Sequence, residues 1–387
     1  MTAKERVIRA LNHSVTDRVP VDFLATPEIW EKLIDHFDIR EKEPDDSRFF
    51  DPVWEKILTL LKVDCRVLSY DQFFAPPEHS IFEGARIEWW KVFGRSSPNR
   101  MWRQITPDGT RYDIFGRRYV LSNTQTGTYE NNMPVLKDAE SVDDLKKHPW
   151  PEPDWWDFST INHVIDEINQ EDEYHIRFRI GSVFEIAWQM RGMEQFFMDM
   201  ALEPDIPVYI MTRLCEIYIA NLTRILDLAG EQIDMVFFYD DVASTENMMM
   251  SKKMWEILIK PHHQKIIDVA RKFDKPVMYH ACGAMYPLIP DLIEMGVDVL
   301  NPIQVNAAGM DPRVLKREFG EKICFHGGIN IVETLPKGTT EEVQAEVLDR
   351  IKVLGENGGY IMSSSHHIQS DTPLENVLAM YDMELRS

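Results

Sequence analysis

Short, nearly continuous apolar runs recur through the second half of the chain, and most are followed by a stretch with helical periodicity. Six runs predict strands, at 176–184, 234–243, 275–283, 297–304, 322–330 and 360–368. Five of these precede a helical pattern closely. Strands that are apolar on both faces are typical of a parallel sheet covered by helices. The pattern therefore predicts a repeating strand–helix unit.

Two earlier runs, 18–23 and 64–70, raise the number of predicted strands to eight. Eight strands separated by helices predict an α/β fold, a (β/α)8 or TIM barrel. The rival is an open doubly wound sheet, which normally carries a glycine-rich phosphate turn after its first strand. The segment "VDFLATPEIW" has no such turn. We therefore expect one barrel domain spanning residues 1–387.

Residues 82–135 break this rhythm. They contain Asp108-Gly109 within a run of β-branched and aromatic residues. Asp-Gly flanked by such residues is typical of a hairpin turn. We predict a β-hairpin insertion in the N-terminal third of the barrel.

A helix is predicted from Ser251 to about residue 273, with Ser251 as its N-cap and a kink at Pro261. Within it, His262 and His263 are adjacent. We expect both on the surface or at a partner interface.

Composition narrows the function classes. The formal net charge of −22, with a pI near 5.0, argues against nucleic-acid binding, because such a surface repels phosphates. The N-terminus lacks the apolar core of a signal peptide, and no run of 18 apolar residues predicts a membrane span. Four widely spaced cysteines suggest a reducing, cytoplasmic environment rather than a disulfide framework. The sequence leaves the oligomeric state open, a homo-oligomer included.

Polar side chains collect at the carboxyl ends of the predicted strands, where barrel enzymes carry their active sites. They are Tyr239, Asp240, Asp241, His280, Cys282, Asn301, Gln304, His326, His366 and His367. Residues two apart in a strand point to the same face, so His280 and Cys282 can share a metal ion. A catalytic zinc takes three protein ligands, and imidazole and thiolate suit zinc. The spacing alone leaves the third ligand open among His366, His367, His326 and Asp241, and a packed cysteine beside a hydrogen-bonded histidine remains the alternative.

The aspartates of "YDDVA" point opposite ways on a strand, so one should enter the barrel mouth. That carboxylate, Asp240 or Asp241, could act as a general base or as a hydrogen-bond acceptor, and capping of a helix is the alternative for the other. His326 stands before two glycines and either contacts substrate or supports the turn.

At these residues the chain resembles the uroporphyrinogen decarboxylase superfamily, and more closely its corrinoid-linked methyltransferases. The likeness extends over nearly the whole chain through "ERVIRALNHSVTDRVPVDF", "GSVFEIAWQMRGMEQFFMDM", "FYDDVASTENMMMSKKMWEILIKPHHQKII", "HACGAMYPLIPDLIEMGVDVLNPIQ", "FHGGIN" and "GGYIMSSSHHIQSDTPLENVLAMY". The family's fold is a (β/α)8 barrel. True decarboxylases carry R-Q-A-G-R-Y near the N-terminus to bind a polyanionic substrate. This chain has "RVPVDFLATPEIW" instead, which argues against porphyrinogen decarboxylation.

The resemblance also implies a ligand set. Zinc methyltransferases of this superfamily bind the metal through H-x-C and a later cysteine near the last strand. His280 and Cys282 match the first two positions. Aligned on "DTP", the later cysteine position falls on His366, which is carried over as the third ligand, with His367 as the fallback.

The implied function is a zinc-dependent methyltransferase that works with the corrinoid (cobalamin) of a partner protein and a small methylated substrate. A Cys/His/His shell leaves zinc with net charge +1, which favours O-demethylation of a methyl ether over methylation of a thiol by a methylcobamide. The insertion could shape a pocket for an aryl group through Trp89, Trp90, Trp102, Tyr112 and Phe115. Tyr239, Asn301, Gln304 and His326 are candidate substrate-binding residues. A metal-free decarboxylase or lyase of the same fold, and a degenerate barrel that only binds a ligand or the corrinoid protein, remain as alternatives.

Overall fold

A computed structural model describes residues 1–40, 51–74, 82–89, 91–92, 95–96, 102–124 and 127–382. Its strands are β1 (Cys65–Ser69), β2 (Arg86–Trp89), β3 (Lys91–Val92), β4 (Arg95–Ser96), β5 (Trp102–Ile105), β6 (Arg111–Tyr112), β7 (Arg118–Thr124), β8 (Gly127–Met133), β9 (His175–Arg179), β10 (Met235–Tyr239), β11 (Val277–His280), β12 (Val299–Ile303), β13 (Cys324–Ile329) and β14 (Tyr360–Ser364).

Helices cover the outside of the barrel sheet, except for the first helix, which lies across its amino end. They are α1 (Ala3–Leu11), α2 (Pro27–His36), α3 (Pro52–Leu60), α4 (Val142–Leu145), α5 (Ile161–Ile168), α6 (Phe184–Arg191), α7 (Met193–Leu202), α8 (Asp205–Ala229), α9 (Lys252–Leu258), α10 (Lys260–Lys272), α11 (Ile289–Met295), α12 (Pro312–Phe319), α13 (Thr334–Lys337), α14 (Thr340–Leu354) and α15 (Leu374–Met380). None of the helices in the described ranges is long and apolar enough to cross a membrane.

The parallel sheet runs in the order β1-β9-β10-β11-β12-β13-β14, so neighbours along the sheet are also neighbours in sequence apart from the insertion. Residues 18–25 close it. Val21 forms a parallel bridge to Met362 of β14, and its carbonyl accepts the amide of Asp64 just before β1. The predicted (β/α)8 barrel is confirmed. Its first strand forms isolated bridges instead of a continuous ladder.

The inside of the barrel is layered by polarity. Near the amino ends of the strands, Met235, Met278, Val299 and Cys324 form an apolar layer against Leu11 of α1, which closes that end. The next inward positions toward the carboxyl ends carry charged and polar side chains, among them Arg177. The sealed apolar end leaves the opposite mouth as the place for chemistry, as in other barrels.

The insertion is larger than the single hairpin predicted from the sequence. An antiparallel sheet of order β2-β5-β6-β7-β8 is accompanied by a separate β3-β4 pair. Asp108-Gly109 forms the turn between β5 and β6, and Gly109 has φ +82°, a conformation that favours glycine. Trp90 and the side chains of Trp89 and Trp102 lie outside the described residues.

Ser251 caps α9 by accepting the amide of Met254 (3.2 Å), as predicted. The helical pattern breaks at Ile259, and α10 begins with Pro261 in its first turn. The prediction for the two histidines that follow is wrong: His262 is 5% and His263 0% exposed. Both rings pack inward because α10 lies against α8: His262 hydrogen-bonds with Thr212 of α8, and His263 with Asp240 after β10.

Candidate metal centre

Three predicted ligands meet at the mouth of the barrel. His280, Cys282 and His366 each place one ligand atom within 4.8 Å of the other two. Sγ of Cys282 lies 3.5 Å from Nε2 of His280. His280 ends β11, and His366 follows β14 across the mouth. The adjacent His367 is half-buried, and its ring centroid lies 5.1 Å from that of His366.

The turn after β11 fixes the position of Cys282. Its backbone amide donates to Oδ1 of Asp241 (2.8 Å), and the next amide, of Gly283, donates to Oε1 of Gln304 (2.7 Å). Gly283 has φ +94°, and a Cβ there would come 2.4 Å from the carbonyl oxygen of Ser244. Only glycine fits this turn, because a side chain would meet both an unfavourable φ and a backbone oxygen.

A chain of hydrogen bonds orients His280. Its Nδ1 donates to Oδ1 of Asn301, whose Nδ2 donates to Nδ1 of His326. Nε2 of His326 donates to Oδ2 of Asp22 (2.9 Å), and that carboxylate also accepts from Arg177. Because Nδ1 of His280 carries the proton, the lone pair of Nε2 points toward Cys282. A metal-ligating histidine commonly has such an oxygen acceptor behind it.

The donor set fits zinc. One thiol and two imidazoles are typical zinc ligands, and three protein ligands leave a coordination position open for catalysis. Bond lengths of about 2.3 Å to sulfur and about 2.05 Å to nitrogen place the two atoms about 3.5 Å apart in a tetrahedron. The observed distance between Sγ of Cys282 and Nε2 of His280 is 3.5 Å. These two side chains already stand at the spacing that zinc requires.

The protonation of the ligands is set by burial. Burial lowers the pKa of His366 to about 4, with the charge of His280 acting in the same direction. The neutral imidazole that a metal needs is therefore the form present at pH 7. Burial raises the pKa of the Cys282 thiol, and the nearby carboxylates of Asp241 and Glu185 raise it further. Without a metal the thiol holds its proton, so zinc binding must release it.

The two adjacent aspartates point in different directions. Asp240 is 0% exposed, and its carboxylate accepts from Oγ of Ser182, from the amides of Val183 and Glu185, and from Nε2 of His263 (2.7 Å). It thereby caps the amino end of α6. Asp241 lines the cavity instead, with Oδ1 3.8 Å from Nε2 of His280. Only Asp241 stands where substrate could be met directly.

The cavity above these groups has a volume of about 490 Å³, which falls in the range of small-molecule sites. Tyr239, Asn301 and His326, predicted to contact substrate, all line it, as do His280 and His366. Aromatic rings supply much of the remaining wall: Phe23, Trp30, Trp54, Tyr70, Phe115 and Phe237. Gln304, the other predicted contact, uses its side-chain oxygen to hold the turn at Gly283.

Sequence reasoning missed a further acid in the cavity, Glu185 of α6. Burial raises its pKa to about 8, and the carboxylates of Asp241 and Asp240 add to the effect. Its Oε1 accepts from Nε2 of Gln189 (2.9 Å). A perturbed acid in a cleft is a common property of functional sites. No pattern in "SVFEIAWQM" marks this glutamate, because its burial depends on the fold.

Glu185 makes stability depend on pH. The folded state retains a proton that the unfolded chain loses above the ordinary value of 4.5, so unfolding releases a proton between that pH and about 8. Stability of the metal-free protein should fall as the pH rises through this window. Glu185→Gln removes the effect and is expected to stabilise the metal-free protein by ~2–3 kcal/mol at pH 7. Urea unfolding at pH 5, 7 and 8.5 in chelator measures this. An equal pH slope in both proteins would contradict the assignment.

Comparison with known proteins places the chain in a family. The model of the uroporphyrinogen decarboxylase family, described as "Uroporphyrinogen decarboxylase (URO-D)", matches residues 124–384, more than half of the chain. The chain therefore belongs to the uroporphyrinogen decarboxylase family. No curated protein sequence matches it.

Among solved structures, one described as a methyltransferase from Methanosarcina mazei aligns with 98% of this chain and 97% of its own. The TM-score is 0.66 at 18% identity, which shows a shared fold. A xylanase from Gloeophyllum trabeum (9% identity, 59% of this chain and 82% of its own) has a TM-score of only 0.36, and a zinc-bound IOLI protein (15%, 64% and 92%) only 0.31.

Proposed function

We propose that this protein is a zinc-dependent methyltransferase that moves a methyl group between a small methylated substrate and the cobalt of a corrinoid on a partner protein. The observation that carries the proposal is the cluster of His280, Cys282 and His366 at the mouth of a substrate-sized cavity. The shared fold with a protein described as a methyltransferase supports it. The corrinoid partner rests on the sequence resemblance alone.

Porphyrinogen decarboxylation is disfavoured by the segment at residues 18–30. Its one arginine, Arg18, pairs with the buried Asp64 (2.6 Å) and so has no charge to offer a polyanion. This agrees with the absence of an arginine-rich motif there.

O-demethylation of a methyl ether is the favoured reaction. Bound by one thiolate and two neutral imidazoles, zinc would retain a net charge of +1 and could act as a Lewis acid toward the oxygen of the ether. Asp241 lies close enough to His280 to orient the substrate, or to hold a proton at its carboxylate. Asp240 would serve by holding α6 and Glu185 in place. The aromatic walls suit an aryl group.

Metal content and methyl transfer test the proposal together. We expect about one zinc per chain in the purified protein, and transfer of a methyl group from an aryl methyl ether to a reduced corrinoid. His366→Ala should lose most of the zinc and the activity, because two ligands remain. His367→Ala is the matched control and should retain zinc, because His366 is the histidine that joins the cluster.

Full zinc occupancy in His366→Ala would remove that residue from the ligand set. A wild-type protein that takes up no zinc from metal-replete medium would overturn the proposed mechanism and favour a metal-free reaction. Methylation of a thiol without any ether demethylation would reverse the direction proposed here.

A further inference from the structure

The cavity contains five arginines, and four of them are already engaged by the protein. Arg66 donates to Glu55 and to the backbone carbonyls of Val63 and Cys65. Arg117 donates to Asp113 and Gln189. Arg177 donates to Asp22, and Arg103 stacks over the Tyr119 ring. Each of these residues is less than 9% exposed. They serve the fold rather than a ligand.

Arg179 differs from these four in exposure and in the quality of its contacts. Its side chain is 18% exposed. Nε donates to Oγ of Ser69 at 3.2 Å, and Nη2 lies 3.4 Å from Oδ2 of Asp71, longer than the 2.7–2.9 Å usual for a charged pair. Within the described part of the chain, Nη1 has no hydrogen-bond partner. The guanidinium therefore keeps donors directed toward the cavity.

The position of Arg179 relates it to the metal centre. It is the last residue of β9, and His280 is the last residue of β11, with only β10 between the two strands. Arg179 pairs with Phe237 of β10, which pairs with Met278, so Arg179 lies two residues short of the level of His280. With about 4.8 Å per strand and about 3.3 Å per residue along a strand, the two backbones are roughly 12 Å apart. Tyr239 of β10 stands between them, with its ring centroid 6.0 Å from the guanidinium carbon. A small molecule could reach both groups at once.

We propose that Arg179 anchors an anionic group, a carboxylate or a sulfonate, on the small molecule whose methyl group is exchanged at the metal centre. This inference rests on the proposed function and narrows its substrate class. A planar guanidinium binds such an anion through two parallel hydrogen bonds, and the free edge at Nη1 is open to the cavity. Asp71 holds the opposite edge only loosely, so it orients the guanidinium without saturating it.

Binding to matched probes tests the anchor without requiring turnover. One pair is para-methoxybenzoate and methoxybenzene; the other is mercaptopropionate and mercaptopropanol. Calorimetry on the zinc-loaded protein should show that the anion of one pair binds about 10-fold tighter than its uncharged partner, the effect of a charge-assisted bidentate contact. The pair that shows this preference also tells whether the anchored molecule is an ether donor or a thiol acceptor.

Three variants separate an anchor from a structural role. Arg179→Met should reduce the ratio of the affinities for the anion and its uncharged partner to about 1. Arg179→Lys should retain part of this preference, because lysine keeps the charge but loses the two parallel donors of the guanidinium. Asp71→Asn should increase it, because a competing carboxylate is removed, whereas a merely structural pair would give no gain. The inference is overturned if neither pair shows a preference, or if the preference survives in Arg179→Met. A preference without methyl transfer would leave the anchor standing and refute the proposed function.

Discussion

Cys282→Ser is expected to lower zinc affinity by more than about 100-fold and to abolish methyl transfer. Even removing a group that only supports a ligand typically costs 10–100-fold in affinity, and Cys282 supplies the only thiol of the cluster. A serine hydroxyl stays protonated at neutral pH and is a poor substitute for a thiolate on zinc. Metal titration against a competing chelator measures the affinity, and a corrinoid-linked assay measures the activity.

Proton release gives a second signature of the same residue. Because burial raises the pKa of the Cys282 thiol, wild-type protein should release about one proton per zinc bound at pH 7. His366 contributes none, since its low pKa leaves it neutral. Calorimetry in buffers of different ionisation enthalpy counts the protons. A wild-type protein that binds zinc without releasing a proton would show that the thiol is not a ligand.

Cys215→Ser provides the matched control. Cys215 is also buried, but it lies on α8, where its thiol donates to the carbonyl of His262 (3.5 Å). This change should leave zinc affinity and proton release as in the wild type. Equal losses in both variants would mean that Cys282→Ser acts through folding instead of ligation.

The fold was predictable because its strands are short apolar runs of the right period. Seven of the eight predicted strands form, and the eighth fails only in continuity, since residues 18–25 make isolated bridges. The insertion was harder to predict. The Asp108-Gly109 turn could be predicted from two residues, whereas the pairing of β2 with β5, past the separate β3-β4 pair, has no local turn signal.

The candidate site was predictable in part for the same reason. Period-two alternation puts His280 and Cys282 on one face, but only the likeness to a family singled out His366 among the four candidates for the third ligand. Glu185 and Arg179 gave no signal. Their roles depend on how fully each is buried or paired, and those are properties of the folded cavity. The prediction that His263 lies on the surface was wrong for the same reason, because its position in a helix does not show which face of that helix the rest of the protein will cover.

Asp240→Asn is expected to destabilise the protein by ~2–6 kcal/mol, because each buried donor left without an acceptor costs about 1–3 kcal/mol and two donors are affected. The carboxylate of Asp240 is 0% exposed and accepts four hydrogen bonds, including two from backbone amides at the start of α6 and one from His263. An asparagine can accept with only one of its two end atoms. Its amide nitrogen would face donors, so at least two of them would be left buried without an acceptor.

The same substitution at the neighbouring residue, Asp241→Asn, should affect activity rather than stability. Asp241 is 39% exposed, so Asp241→Asn should change stability by less than about 1 kcal/mol, while lowering methyl transfer through the loss of a charge beside His280. Urea unfolding midpoints and turnover, measured on both variants, separate the two aspartates. The assignment of a structural role to Asp240 and a substrate-contacting role to Asp241 would be wrong if Asp240→Asn were as stable as the wild type. It would also be wrong if Asp241→Asn unfolded at a lower urea concentration than Asp240→Asn. Because the two residues are adjacent on one strand end and the chemical change is identical, any difference between the variants must come from where each carboxylate points.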